Sequence, residues 1–176
     1  MNKLFSSLYK KKSPYELLAY FGIIALGIAV DQMTKYLAVK YLIPLHTVPV
    51  IEDVLHLTYV ENPGAAFGML KNAPWVFNTV SIAASLGMAI YLFLGRAPNR
   101  LYSISLCLIV SGGIGNLIDR LSLGYVVDFV DFRIINFAVF NGADTFVCVG
   151  AGMLVLALIL DIIKETKMTK EGKNGN

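Results

Sequence analysis

Charged residues are scarce in this sequence. Asp, Glu, Lys and Arg together make up 15% of the 176 residues, whereas soluble domains contain roughly 25%. Hydrophobic residues make up 56%. Because so much apolar surface with so little charge is unsuited to a water-soluble fold, we expect an integral membrane protein. The length suits a single domain, which we expect to span residues 1–176.

Cysteine and histidine are also nearly absent. Cys107 and Cys148 lie within apolar stretches and form no Cys-x-x-Cys motif, which argues against a disulfide framework and predicts two buried thiols. His46 and His56 lack metal-ligand spacing, so we predict no metal site. Neither Ser-x-x-Lys nor Gly-x-Ser-x-Gly occurs, so no motif indicates a serine nucleophile.

Four apolar runs are each long enough for a transmembrane helix, which needs about 20 mostly apolar residues. The first leads into Asp31 and Lys35 without a cleavage site, so we interpret it as a retained helix and not a signal peptide. Asp119-Arg120 should stop the third run. Small residues recur within the runs and predict close helix packing, among them Gly87, Gly115, Gly150 and Gly152. The predicted spans are about 15–41, 74–94, 101–119 and 141–163.

Lys and Arg residues are concentrated on one side of these spans, which is typical of the cytoplasmic side. Both termini are therefore predicted to be cytoplasmic, with the connections 42–73 and 120–140 outside. The basic residues flank the spans and do not form one face, so nucleic-acid binding is not expected. The ten of fifteen that lie on this side are Lys3, Lys10, Lys11, Lys12, Arg96, Arg100, Lys164, Lys167, Lys170 and Lys173.

Helix direction brings four aspartates to the same membrane boundary. Asp31 lies near the outer end of the first span, Asp119 closes the third, Asp144 opens the fourth, and Asp128 lies in the connection between the last two. Charge in a membrane segment is costly and usually marks function. The four aspartates lie at one membrane boundary even if the orientation of the whole chain in the membrane is inverted.

The two outer connections contain strand-like segments. Val48 to Val60 alternates loosely and is rich in Val, Ile, Leu, Thr and Tyr, and Tyr125 to Ile135 is similar. We therefore predict a small sheet on the outer membrane surface.

Each polar motif also has a purely structural explanation. Asn141 and Asp144 begin a helix, where both residue types cap free N–H groups. Asp128 competes with Asp131 for a site role, since on a strand the two point to opposite faces. Asn62-Pro63-Gly64-Ala65-Ala66-Phe67-Gly68 could be only a tight turn.

The polar residues at the end of the third span allow a functional and a purely structural interpretation. Asn116 and Asp119 are one helical turn apart. Asp119 and Arg120 could simply end the helix at the interface. Asp31 and Lys35 have i, i+4 spacing with the acid first, which favours a structural ion pair.

In this order the motifs resemble the lipoprotein signal peptidases, the bacterial type II enzymes that are aspartyl proteases of the membrane. The resemblance runs from Asp31 to Asp144. The blocks are Asp-x-x-x-Lys, Asn-Pro-Gly-Ala-Ala-Phe, Gly-Asn-x-x-Asp-Arg, Val-Val-Asp-Phe and Phe-Asn-x-Ala-Asp. It implies an all-α membrane protein of four transmembrane helices with a small β-cradle formed by the outer loops.

The resemblance also implies roles for individual residues. Asp128 and Asp144 would be the catalytic pair, and Asn62 and Arg120 would contact the substrate. Further substrate-site positions would be Asn116, Asp119 and Asn141, while Asp31 and Lys35 would link the first helix to the rest.

The implied activity is an aspartic endopeptidase of the bacterial inner membrane. Its substrate would be a prolipoprotein carrying a diacylglyceryl group on a cysteine, cut on the amino side of that cysteine at the outer leaflet. No cofactor would be needed. We expect the protein to be a monomer surrounded by membrane lipids.

Two other classes of function remain open. Intramembrane carboxylates also line the ion paths of transporters and channels, although transporter sites usually lie near the midplane between repeated halves. A non-enzymatic scaffold would account for the glycines but not for the aspartates. Cleavage of a purified lipid-modified precursor separates the three.

Overall fold

The computed structural model describes residues 12–64, 74–135 and 137–174, which form a mostly helical fold with a three-stranded sheet. Strands β1 and β2 lie between α1 and α2, and β3 follows α3 and leads into a 3-10 helix at Arg133–Ile135. The predicted mixture of helices and a small sheet is thereby confirmed. The elements are α1 (Pro14–Leu42), β1 (Thr47–Ile51), β2 (Leu55–Asn62), α2 (Pro74–Phe93), α3 (Arg100–Ser122), β3 (Val126–Phe132) and α4 (Gly142–Asn174).

Helix α1 begins at a complete capping box. The Ser13 hydroxyl oxygen accepts a hydrogen bond from the Glu16 backbone N–H at 3.2 Å, and the Glu16 carboxylate accepts one from the Ser13 N–H at 2.9 Å. Pro14 follows at the first helical position, where its missing N–H costs nothing. One face of the helix is buried at helical spacing, and this face includes the charged Asp31 and Lys35.

Three helices in the described part of the chain are long and apolar enough to cross a membrane, namely α1, α3 and residues Gly142–Met168 of α4. Helix α2 contributes a shorter apolar stretch, Thr79–Phe93. Helix α3 is central and contacts α1, α2 and α4. The fold is therefore that of a multi-pass membrane protein.

Two helices run past their predicted ends. Helix α3 does not stop at Asp119-Arg120 but continues to Ser122, and the Leu123 N–H caps the Asp119 carbonyl. Helix α4 does not stop near residue 163 but reaches Asn174. The end of an apolar run marks the end of the lipid-contacting segment and not the end of the helix. Lys, Glu and Met residues that follow the run still favour helical structure.

Close packing explains some of the small residues. A Cβ added at Gly115 would overlap the Asp31 carboxylate, and one added at Gly150 would lie 2.8 Å from the Ser105 carbonyl. For Gly87 and Gly152 the packing prediction is wrong, since no described atom lies within 4 Å of such a Cβ.

The sheet is antiparallel throughout, in the order β1-β2-β3. The register pairs His56 with Asp131 and Asn62 with Val126, and a bulge between Leu57 and Val60 interrupts it. Ala38 and Leu42 near the end of α1 pack with Val127 of β3. The sheet is thus fixed to the end of the bundle where α1 and α3 finish.

A second apolar cluster fills the bundle and contains Cys107, which is fully buried as expected. Cys148 is exposed, so the prediction of two buried thiols is wrong for this residue. The physical reason is that a side chain in an apolar run can face a cavity or lipid as well as protein, and Cys148 lines a cavity, so an apolar run does not imply burial.

Candidate active site

Asp128 lies on β3 with only 1% of its surface exposed. Its Oδ2 accepts a hydrogen bond from Asn62 Nδ2 at 2.9 Å, and its Oδ1 accepts one from Asn141 Nδ2 at 2.6 Å. Burial raises the pKa of this carboxyl to about 6; the Asn62 bond opposes the rise and the nearby charge of Asp144 adds to it. Asp128 is therefore a carboxyl that retains its proton to a higher pH than an ordinary aspartate does.

Asp144 lies in the first turn of α4. Its Oδ1 accepts a hydrogen bond from Asn116 Nδ2 at 2.8 Å, and its Oδ2 accepts one from the Asn141 backbone N–H at 3.2 Å. The Asp144 N–H in turn donates to Asn141 Oδ1 at 2.9 Å. The carboxylate thus caps the helix and also holds a side chain from α3.

Asn141 joins the two carboxyl groups. It is fully buried, its backbone N–H donates to the Asp144 carboxylate, and its amide nitrogen donates to the Asp128 carboxyl group. The same nitrogen lies 3.0 Å from Asn116 Oδ1. Helix capping therefore accounts for only part of what Asn141 does.

A buried ionic cluster lies behind the two aspartates. Lys35 Nζ is 2.9 Å from Asp31 Oδ2 and 3.0 Å from Asp119 Oδ2, and it donates to Asn116 Oδ1 at 2.8 Å. All four side chains are buried. Asp119 is therefore inside the bundle, so the alternative that it merely ends α3 at the interface does not describe its contacts.

Two backbone contacts connect this cluster to the aspartates. Asp119 Oδ2 accepts from the Val127 N–H at 3.1 Å, next to Asp128. Asp31 Oδ1 accepts from the Ala143 N–H at 2.8 Å, next to Asp144.

Arg120 is half-buried, and its guanidinium interacts electrostatically with Asp144, Asp128 and Asp119. It brings positive charge to a site otherwise dominated by carboxylates.

Asp131 binds a separate set of partners. Its Oδ2 accepts from Thr58 Oγ1 at 2.8 Å and from Arg133 Nε at 3.1 Å. Although burial raises the pKa of Asp131, these hydrogen bonds and the Arg133 charge hold it below its ordinary value. Asp131 is thus an ion-paired carboxylate away from Asp144.

A cavity of about 400 Å³ opens beside the two aspartates. Its described lining is mainly apolar and includes Asn62, Asp128 and Asp144 as its acidic and amide groups. Asn116, Asp119 and Arg120 are not among the described lining residues. The remaining lining residues are Phe137, Ala138, Val139, Phe140, Thr145, Cys148 and Val149.

The Asn62 motif is a turn in which the Gly64 N–H donates to Asn62 Oδ1 at 3.1 Å. Asn62 therefore serves both the turn and Asp128. The rest of the motif, residues 65–68, lies outside the described residues.

Gln32 is a member of the cluster that the sequence analysis missed. Its Nε2 lies 2.9 Å from Asp119 Oδ1, 3.1 Å from the Gly115 carbonyl and 3.2 Å from Asp31 Oδ2. The feature of the sequence that could have indicated its membership of the cluster is its position next to Asp31 and three residues before Lys35. Among the described residues, no group of three or more His, Cys, Asp or Glu side chains could hold a metal ion.

Sequence comparison identifies relatives over most of the chain. The family described as signal peptidase (SPase) II matches residues 23–160. The lipoprotein signal peptidase of Caldanaerobacter subterraneus subsp. tengcongensis is 50% identical over 137 residues, which cover 78% of this chain and 93% of that protein. The lipoprotein signal peptidase of Brevibacillus brevis is 45% identical over 143 residues, covering 81% and 95%.

Two solved structures of a bacterial membrane enzyme, both obtained by the in meso method, are also similar. The structure at 2.3 Å resolution has a TM-score of 0.73 and 30% identity, covering 88% of this chain and 93% of its own. The structure at 1.9 Å has a TM-score of 0.72 and 30% identity, covering 85% and 96%. The similarity therefore extends to the three-dimensional fold.

Proposed function

The chain belongs to the signal peptidase II family, and from this premise we propose that Asp128 and Asp144 are its catalytic pair. It is a protease of the family's aspartic class that removes signal peptides from lipoproteins. The observation that carries the proposal is the arrangement of two carboxyl groups on one cavity, both of which accept a hydrogen bond from Asn141.

The two carboxyl groups have different surroundings, which suits an acid and a base. Asp128 is buried with its pKa raised to about 6, so it is the protonated partner. Asp144 lies at a helix N-terminus, where the helix dipole favours negative charge. Two carboxylates held close cannot easily both ionise, so the pair shares one proton.

Peptide cleavage then begins with two proton transfers, one from water to Asp144 and one from Asp128 to the substrate. Asp144 takes a proton from water, and the resulting hydroxide attacks the scissile carbonyl carbon. Asp128 donates its proton to the carbonyl oxygen as the tetrahedral intermediate forms. As the C–N bond of the intermediate breaks, Asp144 donates its proton to the leaving amine and Asp128 takes back the hydroxyl proton, which leaves a new carboxyl terminus and restores both side chains. Water is the only co-reactant.

The surrounding polar residues divide by position. Asn62 lines the cavity and Arg120 adds positive charge near it, so both are assigned to substrate contact. Asn116, Asp119 and Asn141 are buried and bind other protein groups, which favours a supporting role for them.

The substrate assignment extends from a lipoprotein to its lipid-modified form. We assign cleavage to the amino side of a diacylglyceryl-modified cysteine. The mainly apolar cavity is consistent with a substrate that carries acyl chains and an apolar signal peptide. The active site is assigned to the outer leaflet, with membrane lipids around a single-domain monomer.

The topology is assigned as four spans, with α2 as the additional one beside α1, α3 and α4. The ends of α1 and α3 that carry the sheet lie opposite the ends that carry Lys12 and Arg100. The excess of Lys and Arg at the latter end supports a cytoplasmic location for it and for both termini.

The test is cleavage of a purified lipid-modified precursor by three matched variants. Asp128→Asn and Asp144→Asn should each lower kcat by roughly 10²–10⁴-fold or more while the protein stays folded. Asp131→Asn, which removes a carboxylate from the same strand, should retain most activity.

The outcome that contradicts this assignment is an active Asp128→Asn with an inactive Asp131→Asn. Proton- or ion-coupled transport by the purified protein, without cleavage, would instead favour a transporter.

A further inference from the structure

Gln32 contacts both carboxylates that form ion pairs with Lys35. Its Nε2 lies 2.9 Å from Asp119 Oδ1 and 3.2 Å from Asp31 Oδ2, while Lys35 Nζ binds the Oδ2 atoms of the same two residues. Helix α1 therefore presents two donors, one neutral and one charged, to the same pair of acids. A third contact, to the Gly115 carbonyl at 3.1 Å, fixes Gln32 to α3.

Each of these acids holds the backbone beside one member of the catalytic pair. Asp119 accepts the N–H of Val127, which precedes Asp128 on β3. Asp31 accepts the N–H of Ala143, which precedes Asp144 on α4. The distance between the two supports, Asp31 and Asp119, thus helps to determine the distance between Asp128 and Asp144.

The electrostatics of Asp31 and Asp119 favour an additional donor that carries no charge. Asp31 and Asp119 are both buried and share Lys35 as their ion-pair partner, so their mutual repulsion tends to separate them. A donor that reaches both carboxylates opposes this separation without adding charge. Among the described residues, the charged groups around Asp31 and Asp119 are Lys35 on α1, Arg120 on α3, Asp128 on β3 and Asp144 on α4.

We propose that Gln32, together with Lys35, holds Asp31 and Asp119 together and thereby sets the separation of Asp128 and Asp144. Gln32 is then a positioning residue for the cleavage reaction, and this role rests on the proposed catalytic pair. A displacement of about 1 Å at reacting groups can cost about 10²-fold in rate, so loss of one bridging amide is enough to affect catalysis.

The variant that tests this is Gln32→Met, which keeps the length of the side chain and removes its hydrogen bonds. Thr34→Val is the matched control, because among the described residues the Thr34 hydroxyl donates only to the Asp31 carbonyl of its own helix. Both enzymes are assayed with the lipid-modified precursor over a range of pH. The fraction of folded protein in detergent is measured in parallel.

Gln32→Met should lower kcat about 10- to 100-fold with little change in KM. Its pH profile should also become narrower than that of the wild type. The separation of the two apparent pKa values of a coupled pair reflects the strength of the coupling, and coupling weakens as the carboxyls move apart. Thr34→Val should match the wild type in both respects.

The proposal is overturned if Gln32→Met loses only thermal stability while kcat per folded enzyme and the width of the pH profile are unchanged. It is equally overturned if KM alone rises, which would indicate direct substrate contact. Asp128→Asn is measured alongside Gln32→Met, because it tests the catalytic pair without disturbing Gln32. Failure of the catalytic assignment is thereby distinguished from failure of the positioning role proposed for Gln32.

Discussion

At the scale of the residue, the environment of Asp128 determines the pH range in which the proposed mechanism operates. The mechanism needs Asp128 protonated and Asp144 ionised. Because burial raises the pKa of Asp128 to about 6, its proton is present below that pH and is lost as the pH rises through it. The profile of kcat/KM should therefore be bell-shaped, with an alkaline limb near pH 6.

Asn62 offers a direct test of this limb. Its amide donates to Asp128 and favours the charged form, so Asn62→Ala should raise the pKa of Asp128 further and move the alkaline limb to higher pH. The measurement is the pH dependence of kcat/KM on solubilised enzyme. A limb that stays in place or moves to lower pH would show that Asp128 is not the group that titrates.

Two reagents serve as controls for the class of mechanism. A chelator and a serine-directed acylating reagent should each leave activity intact in folded enzyme, because the proposed step uses only carboxyls and water. Inactivation by either one would count against the aspartyl pair.

Residue order alone could indicate the candidate aspartates but not every member of the network. The i, i+4 spacing of Asp31 and Lys35 predicts an ion pair, and their atoms lie 2.9 Å apart. Gln32 could not be distinguished in this way, because its role depends on Asp119 and Gly115, which are more than 80 residues away in the chain. Long-range contacts of this kind leave no local pattern.

At the scale of the element, the positions of the first two helices were predictable because long apolar runs in a membrane protein form helices. The predicted span 15–41 agrees closely with the helix Pro14–Leu42, and the predicted span 74–94 agrees closely with the helix Pro74–Phe93. The end of α4 was not predictable in the same way, because polar helix and polar loop have similar composition beyond the apolar run. Strand pairing and the bulge between Leu57 and Val60 likewise depend on tertiary contacts.

The contact between α1 and α3 gives a prediction about helix packing. Gly115→Ala places a methyl group against the Asp31 carboxylate, so Asp31 must shift away from Lys35 and the Ala143 N–H. We expect a loss of roughly 1–3 kcal/mol in stability and a lower kcat. Thermal unfolding in detergent, with the cleavage assay, measures both.

Gly152→Ala is the control for this substitution, because no described atom lies within 4 Å of the added methyl group. It should be neutral or stabilising by up to about 1 kcal/mol, since Ala favours helix over Gly. Equal effects of the two substitutions would mean that the close approach at Gly115 is not needed.

At the scale of the whole molecule, the fold has two distinct ends. The sheet, Asp128 and the beginning of α4 lie at one end, and Lys12 lies close to Gly95 at the other. The distribution of Lys and Arg is the basis of our proposal that this second end is cytoplasmic. In this proposed orientation the active site faces the outer leaflet, where a lipid-anchored precursor would present its cleavage point.

The orientation can be tested with single cysteines placed at opposite ends. Glu52 lies in the exposed β1–β2 turn and Pro98 in the exposed connection between α2 and α3. Cys148→Ser removes the exposed native thiol, and Cys107 is buried. In this background, Glu52→Cys should react with a membrane-impermeant thiol reagent in intact cells. Pro98→Cys should react only after the cells are lysed.

Cysteines placed at the chain ends extend the same test, because both termini are expected on the side of Pro98. Asn2→Cys and Asn174→Cys should therefore be protected in intact cells and accessible after lysis. Labelling after lysis is the control that each thiol is reactive at all. If Pro98→Cys and the terminal cysteines react in intact cells while Glu52→Cys does not, the assigned topology is inverted. The carboxyl pair would then face the cytoplasm, on the wrong side for a substrate anchored in the outer leaflet.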